Sequence, residues 1–207
     1  MVQTLPKTQL VTFEEFIKWK PEGGFYELHD GEIIEMNPPL GKHESRTGFL
    51  TIELAIECCR LNLPYFIPKQ ALVKPQTRQS AYCPDVLLIN PNPTNLVNEA
   101  LWEKTATVTQ GDSVPLIIEV VSSNWRVDYY RKYSDYEEMG IKEYWIVDYQ
   151  PFAAGKFVGE PKQPTISVCS LIGDEYEINQ FRDNEPIISQ IFPELNLTAN
   201  QILLTAD

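Results

Sequence analysis

Leu116-Ile117-Ile118-Glu119-Val120-Val121 is an apolar run broken by a single carboxylate, and it reads as a strand in the core of a sheet. Downstream, Trp125 to Met139 reads as a helix stopped by Gly140, and Tyr144-Trp145-Ile146-Val147 as a further core strand. Upstream, Val86-Leu87-Leu88-Ile89 is another buried strand, entered directly from Pro84-Asp85. Strands and helices therefore alternate, which predicts an α/β (α+β) domain around a central mixed β-sheet flanked by helices.

The flanking segments fit the same architecture. Thr12 followed three residues later by Glu15 predicts a capping box opening a short helix to about Trp19, and Pro21 with Gly23-Gly24 stops it. Asp30-Gly31 between Phe25–His29 and Glu32–Met36 predicts a hairpin with a type I′ turn. From His43 to about Leu61, apolar residues at 50, 54, 58 and 61 follow the face of a helix. Tyr65-Phe66-Ile67 and Ala71-Leu72-Val73 read as strand broken at Pro68, and residues 90–113 as a long polar loop. Beyond a Pro/Gly-rich connection at 151–164, residues 165–181 predict an additional C-terminal β-hairpin around Gly173-Asp174, and Thr198 caps a short terminal helix. No repeat and no long linker divides the chain, so residues 1–207 are expected to form one domain.

Composition narrows the function. The 207 residues carry 17 Lys and Arg against 29 Asp and Glu, a net charge of −12, with 43% hydrophobic and 22% charged residues. That is the balance of a folded globular domain, able to bury about 70% of its unfolded surface. The acidity excludes a broad non-specific coating of nucleic acid, which requires clustered positive charge. The charge is uneven: residues 1–60 carry −4, residues 61–171 carry −2 and residues 172–207 carry −6. The middle of the chain is nearly neutral, and the acidic tail is expected to lie away from any cleft.

The first ten residues lack the apolar core and cleavage site of a secretory signal, and no window approaches the ~18 apolar residues of a membrane span. Cys58 and Cys59 are adjacent on a helix, pointing about 100° apart, while Cys83 and Cys169 lie far off. Nothing resembles a zinc cage, and buried free thiols in a reducing cytoplasm are expected. Ser122 and Ser123 have no GxSxG elbow around them, which argues against serine hydrolysis.

The informative residues are acids in apolar strands. Asp85 borders one core strand, Glu119 sits inside another, and Glu27 lies between Tyr26 and Leu28 on the first hairpin. A buried carboxylate without partners costs roughly several kcal/mol, so each requires a cation, donors or a metal. Two readings stand: three separate strand-end salt bridges, or one hard-cation site in which Mg²⁺ takes carboxylate oxygens, water and substrate phosphate.

Taken in order, Tyr26-Glu27-Leu28-His29-Asp30-Gly31-Glu32, Pro84-Asp85-Val86, Ile118-Glu119-Val120-Val121-Ser122, Asp128 with Lys132, and Gly140 to Asp148 form a set over roughly residues 10–150. This set resembles the Uma-type bacterial restriction endonuclease family of the PD-(D/E)xK nuclease superfamily. The resemblance implies a restriction-endonuclease-like core, with residues 151–207 as an extension packed on it. It also implies Mg²⁺ or Mn²⁺ as cofactor, DNA as substrate and, by analogy, a homodimer.

Carried over, Asp85 matches the Asp of the PD motif, Glu119 the second acid and Glu27 an additional upstream acid. Asp85, Glu119, the Val120 carbonyl and Glu27 would then surround the metal. The superfamily's lysine, two residues after the second acid, is replaced here by Val121. Lys132 is the candidate substitute, with Asp128 one turn earlier to position it; the opposing reading is an ordinary surface i,i+4 pair. His43, at the start of the second helix, is a candidate phosphate or water contact, and His29 is expected to face solvent. Tyr129, Tyr130, Tyr133 and Tyr136 lie among Arg126, Arg131 and Lys132, a mix that can stack on unpaired bases, but Tyr129, Tyr133 and Tyr136 share a helix face and read as core. Two functions follow: a metal-dependent endonuclease, or an inactive nuclease fold that binds nucleic acid or a protein partner.

Overall fold

The computed structural model describes residues 10–21, 23–91 and 99–205. Helix α1 (Phe13–Trp19) opens with the expected capping box: Thr12 Oγ1 accepts from the Glu15 amide, and Glu15 Oε2 accepts from the Thr12 amide. Strands β1 (Tyr26–His29) and β2 (Glu32–Glu35) form the hairpin, with Asp30 at φ 48° and Gly31 at φ 86°, the paired positive angles that a type I′ turn demands. Leu28 exchanges both backbone hydrogen bonds with Ala81, which ties the hairpin to a small core of Phe13, Phe16, Leu28, Leu72 and Ala81.

Helix α2 (Gly41–Arg60) follows, then the short strands β3 (Leu72–Val73) and β4 (Val86–Leu88). The segment expected as loop is more ordered than that over its described part. It carries helix α3 (Trp102–Thr105), strand β5 (Thr107–Val108) in parallel with β3, and a 3₁₀ turn (Gly111–Ser113); residues 92–98 lie outside the described residues. Two-residue strands have no periodicity to read, and their partner lies 35 residues away in the chain.

The main sheet adds β6 (Leu116–Val120), β7 (Glu143–Asp148), β8 (Thr165–Ile172) and β9 (Glu175–Phe181), in the order β4-β6-β7-β8-β9. Only the β6–β7 pair is parallel. Between these two strands runs helix α4, which begins as a π-helical stretch (Val127–Lys132) and continues as α-helix (Tyr133–Glu138). The C-terminal hairpin continues the sheet rather than packing on it as an extension. Its last strand, β9, forms the edge opposite β4, so this acidic strand lies at the far side of the sheet. Helix α5 (Gly155–Val158) bridges β7 and β8, and α6 (Ala199–Leu203) ends the described chain behind the Thr198 cap.

Side chains alternate faithfully across the sheet. Leu116, Ile118, Trp145, Val147 and Val168 enter one core with Leu50 and Leu54 of α2 and Ile202 of α6. Leu87, Ile117, Ile146 and Cys169 enter the other with Tyr129 and Tyr136 of α4. Glu119 and Val121 carry the parity of Ile117, so the lone acid of β6 looks toward α4. Among the described residues no helix is long and apolar enough to cross a membrane. The four cysteines are free. Cys58 and Cys169 are buried, but Cys59 is exposed because its neighbour takes the inward face, and Cys83 is half-buried.

Candidate active site

The antiparallel register pairs Val86 with Ile118, and one further step sets Asp85 opposite Glu119. Asp85 Oδ2 accepts the Val120 amide at 2.7 Å, which closes the ladder where β4 runs out. Its carboxylate remains one quarter exposed, the most open of the acids here.

Glu119 is buried. Its Oε1 receives the Lys132 ammonium at 3.0 Å and the Tyr136 hydroxyl at 3.1 Å. Lys132 is equally buried, and its Nζ also lies 3.1 Å from Glu27 Oε1 and 3.8 Å from Asp128 Oδ1. Asp128 and Lys132 are therefore not a surface pair. The π-helical start of α4 aims both side chains at the sheet, a local widening often found at functional positions. The Tyr144 hydroxyl donates to the Asp128 backbone carbonyl at 3.1 Å and so helps satisfy the altered turn.

Glu27 reaches the same ammonium from β1. Its Oε1 also accepts the Cys83 amide at 3.0 Å, and its Oε2 pairs with His29 Nε2 at 2.7 Å. His29 is buried rather than solvent-facing, because positions 27 and 29 of a strand share one face. An edge-on contact with Tyr82 completes its surroundings. His43, in the first turn of α2, lies with Nε2 3.3 Å from Asp85 Oδ2.

The electrostatics follow from four acids gathered around one ammonium. Burial would raise Glu27, but Lys132, His29 and the Cys83 amide overcome it and hold the carboxyl at about 2. Burial pushes Asp128 up to about 7, and Asp85 and Glu27 add to the rise against the pull of Lys132. Glu119 is driven well above the usual carboxylate range by the same burial and by Asp85, Asp128 and Glu27. Burial opposes the charge on Lys132, but the surrounding acids more than restore it and raise its pKa. His43 is also raised: burial works against it, while Asp85, Glu44 and the Val120 backbone outweigh that cost.

This donor set fits a hard divalent cation in one restricted sense. Asp85, Glu119 and the Val120 backbone supply oxygen, and the acids outnumber the ammonium that offsets them. Among the described residues, no group of three or more His, Cys, Asp or Glu side chains is arranged as a cage. A cation here would rest on two carboxylates and a carbonyl, with water or phosphate completing its shell. The additional metal-binding role expected of Glu27 meets a carboxylate whose two oxygens are already engaged.

Sequence reasoning missed Tyr136 and His29 as contributors. Tyr136 reads only as a core aromatic, and its phenol is revealed as a donor to Glu119 by packing alone. The other buried acids of β7 are structural. Glu143 accepts from the Ser189 hydroxyl, the Trp145 indole and the Gln190 amide, and Asp148 accepts the Phe152 and Ala153 amides.

Comparison with curated proteins finds no significant match. Among solved structures, the chain is similar to a putative nuclease of DUF820 from Anabaena variabilis ATCC 29413, with a TM-score of 0.70. The identity is 15%, and the likeness covers 94% of this chain and 98% of that one. The fold is therefore the restriction-endonuclease-like one. Residues 13–200 match the family Uma2, described as "Putative restriction endonuclease", a span that takes in the C-terminal hairpin as well as every acid of the cluster. The chain belongs to the Uma2 family.

Proposed function

We propose that this protein is a metal-dependent endonuclease that hydrolyses DNA phosphodiester bonds at the cluster of Asp85, Glu119 and Lys132. One observation carries the reading: Lys132 Nζ stands 3.0 Å from Glu119, although the position two residues after that acid holds valine. Val121 is fully buried in the core beside Tyr129 and has no route to the cleft. A cation supplied by the helix within contact of the second acid supports assigning it the role of the strand lysine.

Mg²⁺ or Mn²⁺ held by Asp85, Glu119 and the Val120 carbonyl would supply Lewis acidity for an attacking water and a phosphoryl oxygen. Lys132 offsets the charge that builds on the phosphoryl oxygens in the transition state. Glu27, fixed by His29 and the Cys83 amide, holds that ammonium in place, and Asp128 steadies it from its own helix. The Tyr136 hydroxyl orients Glu119. His43 on Asp85 is placed to approach a phosphate or a water from the α2 side.

The test is cleavage of single-stranded, duplex and branched DNA with Mg²⁺ or Mn²⁺ by the wild type and by Asp85→Ala and Glu119→Ala. Cutting by the wild type and loss in both variants is expected; undiminished cutting by purified Asp85→Ala overturns the assignment. The second reading, a nuclease fold that binds nucleic acid or a protein partner without cutting, draws on the lack of a three-ligand cage among the described residues. Homodimerisation and a cytoplasmic location belong to the same proposal and are checked by sedimentation and fractionation.

A further inference from the structure

Farther across the same face of the sheet, from β7 toward the β9 edge, the space under α4 is not filled. Ile146, Ser167 and Gln180 are register partners across β7, β8 and β9, as Cys169 and Ile178 are across β8 and β9. With serine and cysteine at the centre of this floor, a cavity of about 650 Å³ remains beneath Tyr129, Tyr133 and Phe157. That volume is ordinary for a small-molecule site, roughly 300–1,000 Å³.

The cavity has a defined chemistry. Its wall is aromatic: the Tyr129 and Phe157 rings lie 4.5 Å apart, and half-exposed Tyr130 sits 5.5 Å from Phe157 at the mouth. Among the described residues Lys156 is the one charged side chain that lines it, with Nζ 5.0 Å from the Tyr130 ring and 4.6 Å from the Phe157 ring. Inside, the Tyr129 and Ser167 hydroxyls are buried and face one another, and neither hydrogen-bonds any other described protein group. Trp125, on the connection that leaves β6 five residues after Val120, packs on Tyr129, Tyr130 and Phe157, so the segment following the Glu119 strand supports this aromatic wall.

We propose that this pocket receives an unstacked nucleobase of the strand bound at the cluster, stacked on Tyr130 and Phe157 and hydrogen-bonded by Tyr129 and Ser167. A planar heterocycle with polar edges is what the aromatic wall and two buried hydroxyls accept together, and Lys156 complements the attached phosphate. That the base comes from a polynucleotide rests on the nuclease reading; the pocket itself does not.

The test is done in EDTA, so that cutting plays no part. An oligothymidylate carrying one 5-iodouracil is cross-linked to the full chain by ultraviolet light, and the attached peptide is mapped. The same oligonucleotide, an abasic version and free thymidine monophosphate are compared by fluorescence anisotropy. Cross-linking at Tyr130 or Phe157 is expected, with affinity reduced about tenfold by the abasic lesion or by exposed-site Tyr130→Ala and kept by Tyr130→Phe. Equal affinities for all of these, or cross-links found only elsewhere, overturn the pocket. Competition by thymidine monophosphate at equal concentration assigns the pocket to a free nucleotide and overturns the strand-borne base. Cleavage with Mg²⁺ is scored separately. Cutting with no base dependence removes the pocket alone, and a Tyr130 cross-link without cutting removes the nuclease reading alone.

Discussion

Lys132 Nζ lies 3.0 Å from Glu119 Oε1, so an ammonium carried by the helix layer meets a buried carboxyl carried by the sheet. Its removal leaves Glu27, Glu119 and Asp128 facing one another. Lys132→Met is expected to lower stability by about 3–5 kcal/mol, the usual cost of breaking a buried pair, and to lower cleavage by about 10²–10³-fold. Urea unfolding at pH 7 measures the first, and single-turnover cleavage well below the new melting temperature measures the second. Adding Val121→Lys does not restore cutting, because that position opens into the core.

Asp85 and Glu119 differ in what they hold. Asp85→Asn keeps an acceptor for the Val120 amide and leaves stability within about 1 kcal/mol, whereas Asp85→Ala strands that amide and costs about 1–3 kcal/mol. In a Mn²⁺ titration followed by thermal melting, the wild type gains stability at millimolar metal. Glu119→Ala and Asp85→Asn lose that gain. Its absence in the wild type contradicts the cation site and favours the non-cutting reading.

Acid unfolding reads Glu27 by difference from its neutral variant, since Asp128 and Glu119 also titrate on the way down. Its folded pKa, about 2, lies below its ordinary 4.5, so its contribution is complete above 4.5 and disappears as pH falls toward 2. Wild-type stability therefore declines through this window more steeply than that of Glu27→Gln, which is weaker at pH 7 but has no such group to protonate. Urea midpoints at pH 7, 5 and 3 make the comparison, and parallel curves would contradict the pairing with Lys132.

Gly31 permits the turn that presents Glu27. At φ 86° a side chain is strained, and a Cβ would sit 3.1 Å from Leu10 Cβ and 3.2 Å from the Val11 carbonyl. Gly31→Ala is expected to cost about 1–2 kcal/mol and to loosen the hairpin first, seen as faster amide exchange at Leu28 and Ala81 than at β7.

Much of this was written in local sequence. The Thr12 box, the Asp30-Gly31 turn, the strands around Leu87, Ile118 and Ile146, and the hairpin at Gly173 depend on neighbours a few residues away. Asp85 and Glu119 stood out because an acid in an apolar run violates its pattern. The burial of His29, the β3–β5 pairing and the Tyr136 contact depend on residues distant in the chain. Glu143 and Asp148, though part of the 140–148 run, do not read as buried acids because each ends its strand, where an acid breaks no alternation. The π-helical stretch at Val127–Lys132 has no short-range signature either, since the carbonyl of Asp128 finds its donor in Tyr144, on the next strand.

That π-helical stretch makes the site a joint between two layers rather than the property of either. Glu119 and Asp85 are carried by the neighbouring strands β6 and β4, but the ammonium comes from α4 and is present only while that helix is docked. A chain that has begun to unfold, or one still being synthesised with α4 unpacked, holds its acids without their cation. On the nuclease reading proposed above, such a chain would lack the cation that offsets phosphoryl charge, so the site would be assembled only by completion of the fold.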